Sequence, residues 1–181
     1  MDAPELTRDH FEILVVRELR KAGLDVADVR THRRTELPEP DRGYLVELNA
    51  SLSGGAWRRR ALIACRRQAL PLERASVESV KEHVAEARAQ VGLLFAAAPV
   101  TPDVLLAADE AGVALLHVAD GRTAFDASGW GAGGGGGPAA HYPAWLPAYV
   151  AQVVERDPAG QVRYRILAPE DSEVLVRRLQ P

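Results

Sequence analysis

Residues 44–67 read YLVELNASLSGGAWRRRALIACRR, and the fold is decided there. Over Tyr44–Leu52 the side chains alternate. Tyr44, Val46, Leu48 and Ala50 fall on one face, and Leu45, Glu47, Asn49 and Ser51 on the other, which is the period of a strand. Ser53-Gly54-Gly55 supplies a turn. Trp57–Arg66 reads as the next strand, with Ala61, Ile63 and Cys65 on one side and Leu62, Ala64 and Arg66 on the other. The spacing predicts a hairpin over 44–66.

Upstream, residues 7–22 predict a helix. Thr7 can cap it, Phe11, Leu14, Val15 and Leu19 recur at helical spacing, and Gly23 stops it. Residues 24–32 predict a strand, and RRTELPEPDRG at 33–43 a polar, proline-rich loop. Downstream, Val77, Val80, Val84, Ala87 and Val91 mark a second helix over about 75–90. Gly92–Ala98 is almost wholly apolar, as a buried central strand is. Thr101-Pro102-Asp103 combines an N-cap, a first-turn proline and an acid at the positive end of the helix dipole. That helix ends at Gly112, and Val113–Val118 is another buried strand. The order α-β-β-β-α-β-α-β predicts an α/β fold, a mixed sheet flanked by helices, over residues 1–122. Its last units are right-handed βαβ crossovers. A Gly-rich linker is expected over 123–140. Residues 141–181 are expected to form a C-terminal extension: a hairpin from Ala148–Glu155 and Gln161–Leu167, then a short helix over Ser172–Leu179. Whether that extension is a small lobe or a docking arm for a protein partner is open.

Composition narrows the function classes. At 47% apolar and 26% charged residues, the chain can bury a core. Its longest apolar runs, Ala61–Cys65 and Val91–Val100, fall short of the roughly 18 residues a membrane helix needs. Met1-Asp2-Ala3-Pro4-Glu5 carries no apolar segment, so no signal peptide is expected and the location is read as cytoplasmic. A single cysteine, Cys65, excludes an internal disulfide and a multi-cysteine zinc cluster, and its strand face marks it as a core residue. The histidines (His10, His32, His83, His117, His141) have no zinc-binding spacing, and His83 falls off the Val77/Val80/Val84 stripe, which predicts a surface position. Gly133–Gly137 lacks the Gly-Lys-Ser/Thr ending of a phosphate loop, and there is no Gly-x-Ser-x-Gly elbow. The net charge is −3, yet residues 30–74 hold ten arginines against five acids. This basic island is the one compositional pointer to a phosphate partner.

Phe11-Glu12 on the first helix, Pro40-Asp41 in the loop, Ile63-Ala64-Cys65-Arg66-Arg67 closing the third strand, and Gly92–Leu116 after it carry a resemblance over about residues 7–120. The stretch resembles the Mrr-type (type IV) restriction endonuclease domain of the PD-(D/E)xK nuclease superfamily. The resemblance implies a restriction-endonuclease-like fold. It also implies a site in which an acid on the second strand, and an acid or Gln on the third, hold Mg²⁺. A lysine two residues further on lies on the same strand face and activates the attacking water.

The chain departs from that pattern. The third-strand acid position falls on Ala64 and the lysine position on Arg66, which stays protonated but can clamp a phosphate. Carried over on the resemblance, Glu47 or Asp41 would hold Mg²⁺ if the site cuts, Glu12 would assist, and Arg66 would grip the phosphate. Arg33, Arg34, Arg58, Arg59, Arg60 and Arg67 are the candidate nucleic-acid contacts. The bland readings are a solvated Glu47, a salt-bridged strand edge at Arg66 and Arg67, and a solvated hairpin base at Arg58–Arg60. The expected function is a DNA-binding protein on a nuclease fold with a degenerate site. The alternatives are an interaction or structural subunit, and an active Mg²⁺-dependent endonuclease. Nuclease-fold domains often act as dimers, so a homodimer is a further option by analogy.

Overall fold

The computed structural model describes residues 5–128 and 142–179. In chain order the elements are α1 (Arg8–Lys21), β1 (Asp25–Leu37), β2 (Gly43–Gly54), β3 (Trp57–Arg67), α2 (Arg74–Glu86), β4 (Val91–Ala97), α3 (Pro102–Ala111), β5 (Val113–Asp120), α4 (Gly121–Ala127), β6 (Tyr149–Arg156), β7 (Val162–Ile166), a 3₁₀ turn (Pro169–Asp171) and α5 (Ser172–Arg178). The strands form one mixed sheet in the order β1 to β7. β3, β4 and β5 run parallel, and the other neighbours pair antiparallel. The first eight elements follow the order expected from sequence.

Local chemistry explains the elements. Thr7 caps α1 by accepting from His10 N, and Thr101 caps α3 by accepting from Val104 N, both at 3.4 Å. Gly112 ends α3 at φ +69°, a conformation glycine adopts without strain. Gly43 opens β2 where a Cβ would lie 1.8 Å from the Arg67 carbonyl oxygen, so only glycine lets β2 and β3 approach at that end.

Alternation along the strands gives the sheet two buried faces. On one, Tyr44, Val46, Leu48, Ile63, Cys65, Leu93, Phe95 and Leu116 pack beneath α1 and α5. On the other, Leu45, Ala64, Leu94, Ala96 and Leu115 pack beneath α2 and α3. These are called the α1 face and the α2 face below.

Three features differ from the sequence reading. The polar stretch expected as a loop over 33–43 is strand as far as Leu37, which pairs with Gly43. β1 is the sheet edge and is solvated on most positions, so apolar alternation could not mark it, and its register slips twice, at Ala27/Arg30 and Thr31/Arg33. The start of the expected linker is helical, because Asp120 Oδ1 accepts from Arg122 N and Thr123 N at 3.0 and 3.1 Å and so caps α4. The remainder of that linker, from residue 129, lies outside the described residues. Finally, β6 and β7 extend the same sheet, and Leu167, Leu175 and Leu179 belong to the α1-face core. The segment expected as an extension is therefore built into the fold. Among the described residues no helix is long and apolar enough to cross a membrane.

Candidate functional site

The β2–β3 register puts Glu47 opposite Ala64 and Leu45 opposite Arg66. Directly paired residues share a face, so Glu47, Ala64 and Arg66 all lie on the α2 face. The two charged groups nevertheless turn to different partners.

Glu47 is fully buried. Its Oε1 is 2.5 Å from His83 Nδ1 on α2. His83 Nε2 in turn accepts from Arg33 Nη1 at 2.7 Å, which places the ring proton on Nδ1, where it is donated to Glu47. Arg33 also reaches Glu86 at 2.9 Å and stands 3.7 Å from Glu47 Oε2. That second oxygen has no hydrogen-bond partner among the described residues. An unpaired carboxylate in this position would be costly, and His83 together with Arg33 offsets the cost.

Arg66 is held at the other end of the same row. Its guanidinium donates to Asp41 Oδ2 at 3.3 Å and, over a shorter distance, to Gln68 Oε1. Gln68 donates onward to the carbonyls of Leu70 and Pro71. Burial lowers the Arg66 pKa from its ordinary value, and Asp41 works against that shift. Asp41 precedes β2 and reaches Arg66 because its carbonyl accepts from Ala69 N at 3.1 Å, which ties the turn to the end of β3. Glu12 does not join either group. It pairs at 2.7 Å with Arg34, which is registered opposite Val46 and so lies on the α1 face.

These donors do not make a magnesium site. Mg²⁺ requires near-octahedral oxygen ligation. Here one Glu47 oxygen is taken by an imidazole and the other faces a guanidinium, Asp41 is taken by Arg66, and Glu12 is across the sheet. No group of three or more His, Cys, Asp or Glu side chains able to hold a metal occurs among the described residues.

The candidate nucleic-acid arginines also divide. Neighbouring strand residues point to opposite faces. Arg33, Arg58 and Arg60 thus accompany Glu47 on the α2 face, while Arg34, Arg59 and Arg67 accompany Val46, Ala61 and Cys65 on the α1 face. Arg59 lies over the Trp57 ring, 6.0 Å from its centroid. Arg33, Arg34, Arg42, Arg66 and Arg74 each pair with carboxylates of the chain itself. Arg30, Arg58, Arg59 and Arg60 have no carboxylate partner among the described residues.

His83 is the residue that the sequence reading missed. It stands one turn after Val80, its side chain is only 13% exposed, and it points at the sheet rather than at solvent. The signal was available: a glutamate at an inward strand position needs a partner on the helix that covers it. His117 is a second case. It is buried, bonded through Nδ1 to Gln152 Oε1 at 2.9 Å, its ring centroid lies 4.5 Å from that of Tyr164 at a tilt of 40°, and burial lowers its pKa. Cys65 is buried as expected, and that burial pushes its thiol well above the ordinary range. Compared with protein-family models, curated proteins and solved structures, the chain matches none.

Proposed function

We propose that this protein is a restriction-endonuclease-like module that binds DNA without cutting it. The observation that carries the reading is Ala64. Glu47 and Arg66 stand on the same face, but Ala64 takes the place of a third-strand metal ligand, and each charge already faces an opposite one of the chain, Arg33 for Glu47 and Asp41 for Arg66. The strand order supports the nuclease-like ancestry: three antiparallel strands, then a crossover through α2 to a parallel fourth. The arginines without internal carboxylate partners support a phosphate partner.

The test is fluorescence anisotropy with a labelled 30-base-pair duplex between 20 and 300 mM salt, run beside a plasmid-nicking assay in Mg²⁺ or Mn²⁺. Binding that weakens steeply with salt, with no nicking, supports the reading. No binding at 20 mM salt would remove the DNA partner and leave the interaction-subunit reading. Divalent-dependent nicking that disappears in Glu47→Gln would restore an active nuclease.

A further inference from the structure

Building on the DNA-binding reading, we propose that duplex DNA is held by the open part of the α2 face, where β1, β2 and the start of β3 carry Arg30, Arg58 and Arg60, and that it is held through phosphates alone. The strip follows from the register. Arg30 pairs with Asn49; Ser51 lies between Ala27 and Arg60; Ser53 lies between Asp25 and Arg58. All these side chains share the face of Glu47, and among the described residues they lie beyond the position that His83 covers. Arg30, Arg58 and Arg60 are exposed, and Asn49, Ser51 and Ser53 are half-buried. His32 joins them through its contact with Asn49 at 3.4 Å.

Three strands at about 4.8 Å spacing and four residues of rise give a flat area on the order of 10 by 14 Å, enough to meet one DNA backbone. Arg58 and Arg60 stand two residues apart, about 7 Å along the strand. The Gln90 side chain accepts from Arg60 N at 2.9 Å and fixes that end of β3. Asp25 and Asp28 lie at the β1 edge, and Asp28 is engaged by Ser51 at 3.2 Å. They confine the positive track to the β3 side and Arg30. The charged groups of the strip are arginines spread along and across the strands, so the contact is with backbone charge and not with base sequence.

The strip lies apart from the Asp41–Arg66–Gln68 cluster, and the two are separable by mutation. Each phosphate neutralised contributes about −0.9 to the slope of log K against log salt. The Arg30→Ala/Arg58→Ala/Arg60→Ala variant is therefore expected to bind the same duplex with a slope shallower by about 3, and Arg177→Ala, at an exposed position of α5 over the opposite face, to bind as the wild type does. All three substituted residues are exposed, and an unchanged melting curve checks that the variant is folded. Equal binding to duplexes of unrelated sequence is expected as well. A triple variant with an unchanged slope would overturn the strip while leaving the DNA-binding reading in place. A wild type that binds no duplex would remove both. Polyglutamate that binds the wild type more tightly than the duplex does at the same salt, and loses that binding in the triple variant, would assign the strip to an acidic protein and so overturn the DNA assignment.

Discussion

The two faces of β2 have different chemistry. On the α1 face, Tyr44, Val46, Leu48, Ala50 and Leu52 are all buried, from one end of the strand to the other. On the α2 face, the series Leu45, Glu47, Asn49, Ser51, Ser53 runs from full burial to partial exposure. The same backbone carries both. The difference lies in the cover: α1 and α5 close one face, whereas α2 and α3 close only part of the other. Charge is tolerated where cover ends, and a charge at the margin of the cover, Glu47, requires a partner of its own.

The costliest substitution is expected on the α1 face. Phe95→Ala removes a fully buried ring from the α1-face core, and urea denaturation is expected to give a loss of about 3–5 kcal/mol. A similar loss in Ser51→Ala would mean that the two faces do not differ. At the margin, His83→Ala strips Glu47 of its hydrogen bond. The expected loss is about 2–3 kcal/mol, read in the same way, with part of it recovered in the His83→Ala/Glu47→Gln double variant. Full additivity of the two changes would show that the residues are not coupled.

Acid provides a smaller effect. Burial holds the His117 pKa below its ordinary value of 6.5, so the unfolded chain binds this proton first. Its contribution to stability is complete above pH 6.5 and is lost as pH falls through the lowered folded value. The melting temperature is expected to decline below pH 6.5 in the wild type and to decline less in His117→Gln. Equal declines would place the acid sensitivity elsewhere. The smallest effect is expected at Arg34→Ala. Its ion pairs with Glu12 and Asp9 lie at the surface, and the denaturation midpoint is expected to stay in place.

Much of this was legible in the sequence. The hairpin over 44–66, the capped α3 with its glycine stop, the buried β4 and β5 and the core position of Cys65 each follow from a local signal: strand alternation, an N-cap, or an apolar run between turn residues. The segments that escaped reading lack such a signal. β1 beyond residue 32 is solvated on most positions, so only its ladder with β2 makes it strand. β6 and β7 were visible as a hairpin, but their joining the main sheet depends on pairing with β5 across a long sequence separation.

The candidate site divides along the same line. The parity that sets Ala64 with Arg66 on one side of β3, and Glu47 with Leu45 and Asn49 on one side of β2, is a property of the chain read alone, because side-chain direction in a strand has period two. Which partner each charge takes is not. Only the packed molecule turns His83 and Arg33 onto Glu47, Asp41 and Gln68 onto Arg66, and Arg34 onto Glu12, since those choices rest on distances between segments far apart in the chain and on the need of a buried charge for the nearest opposite group.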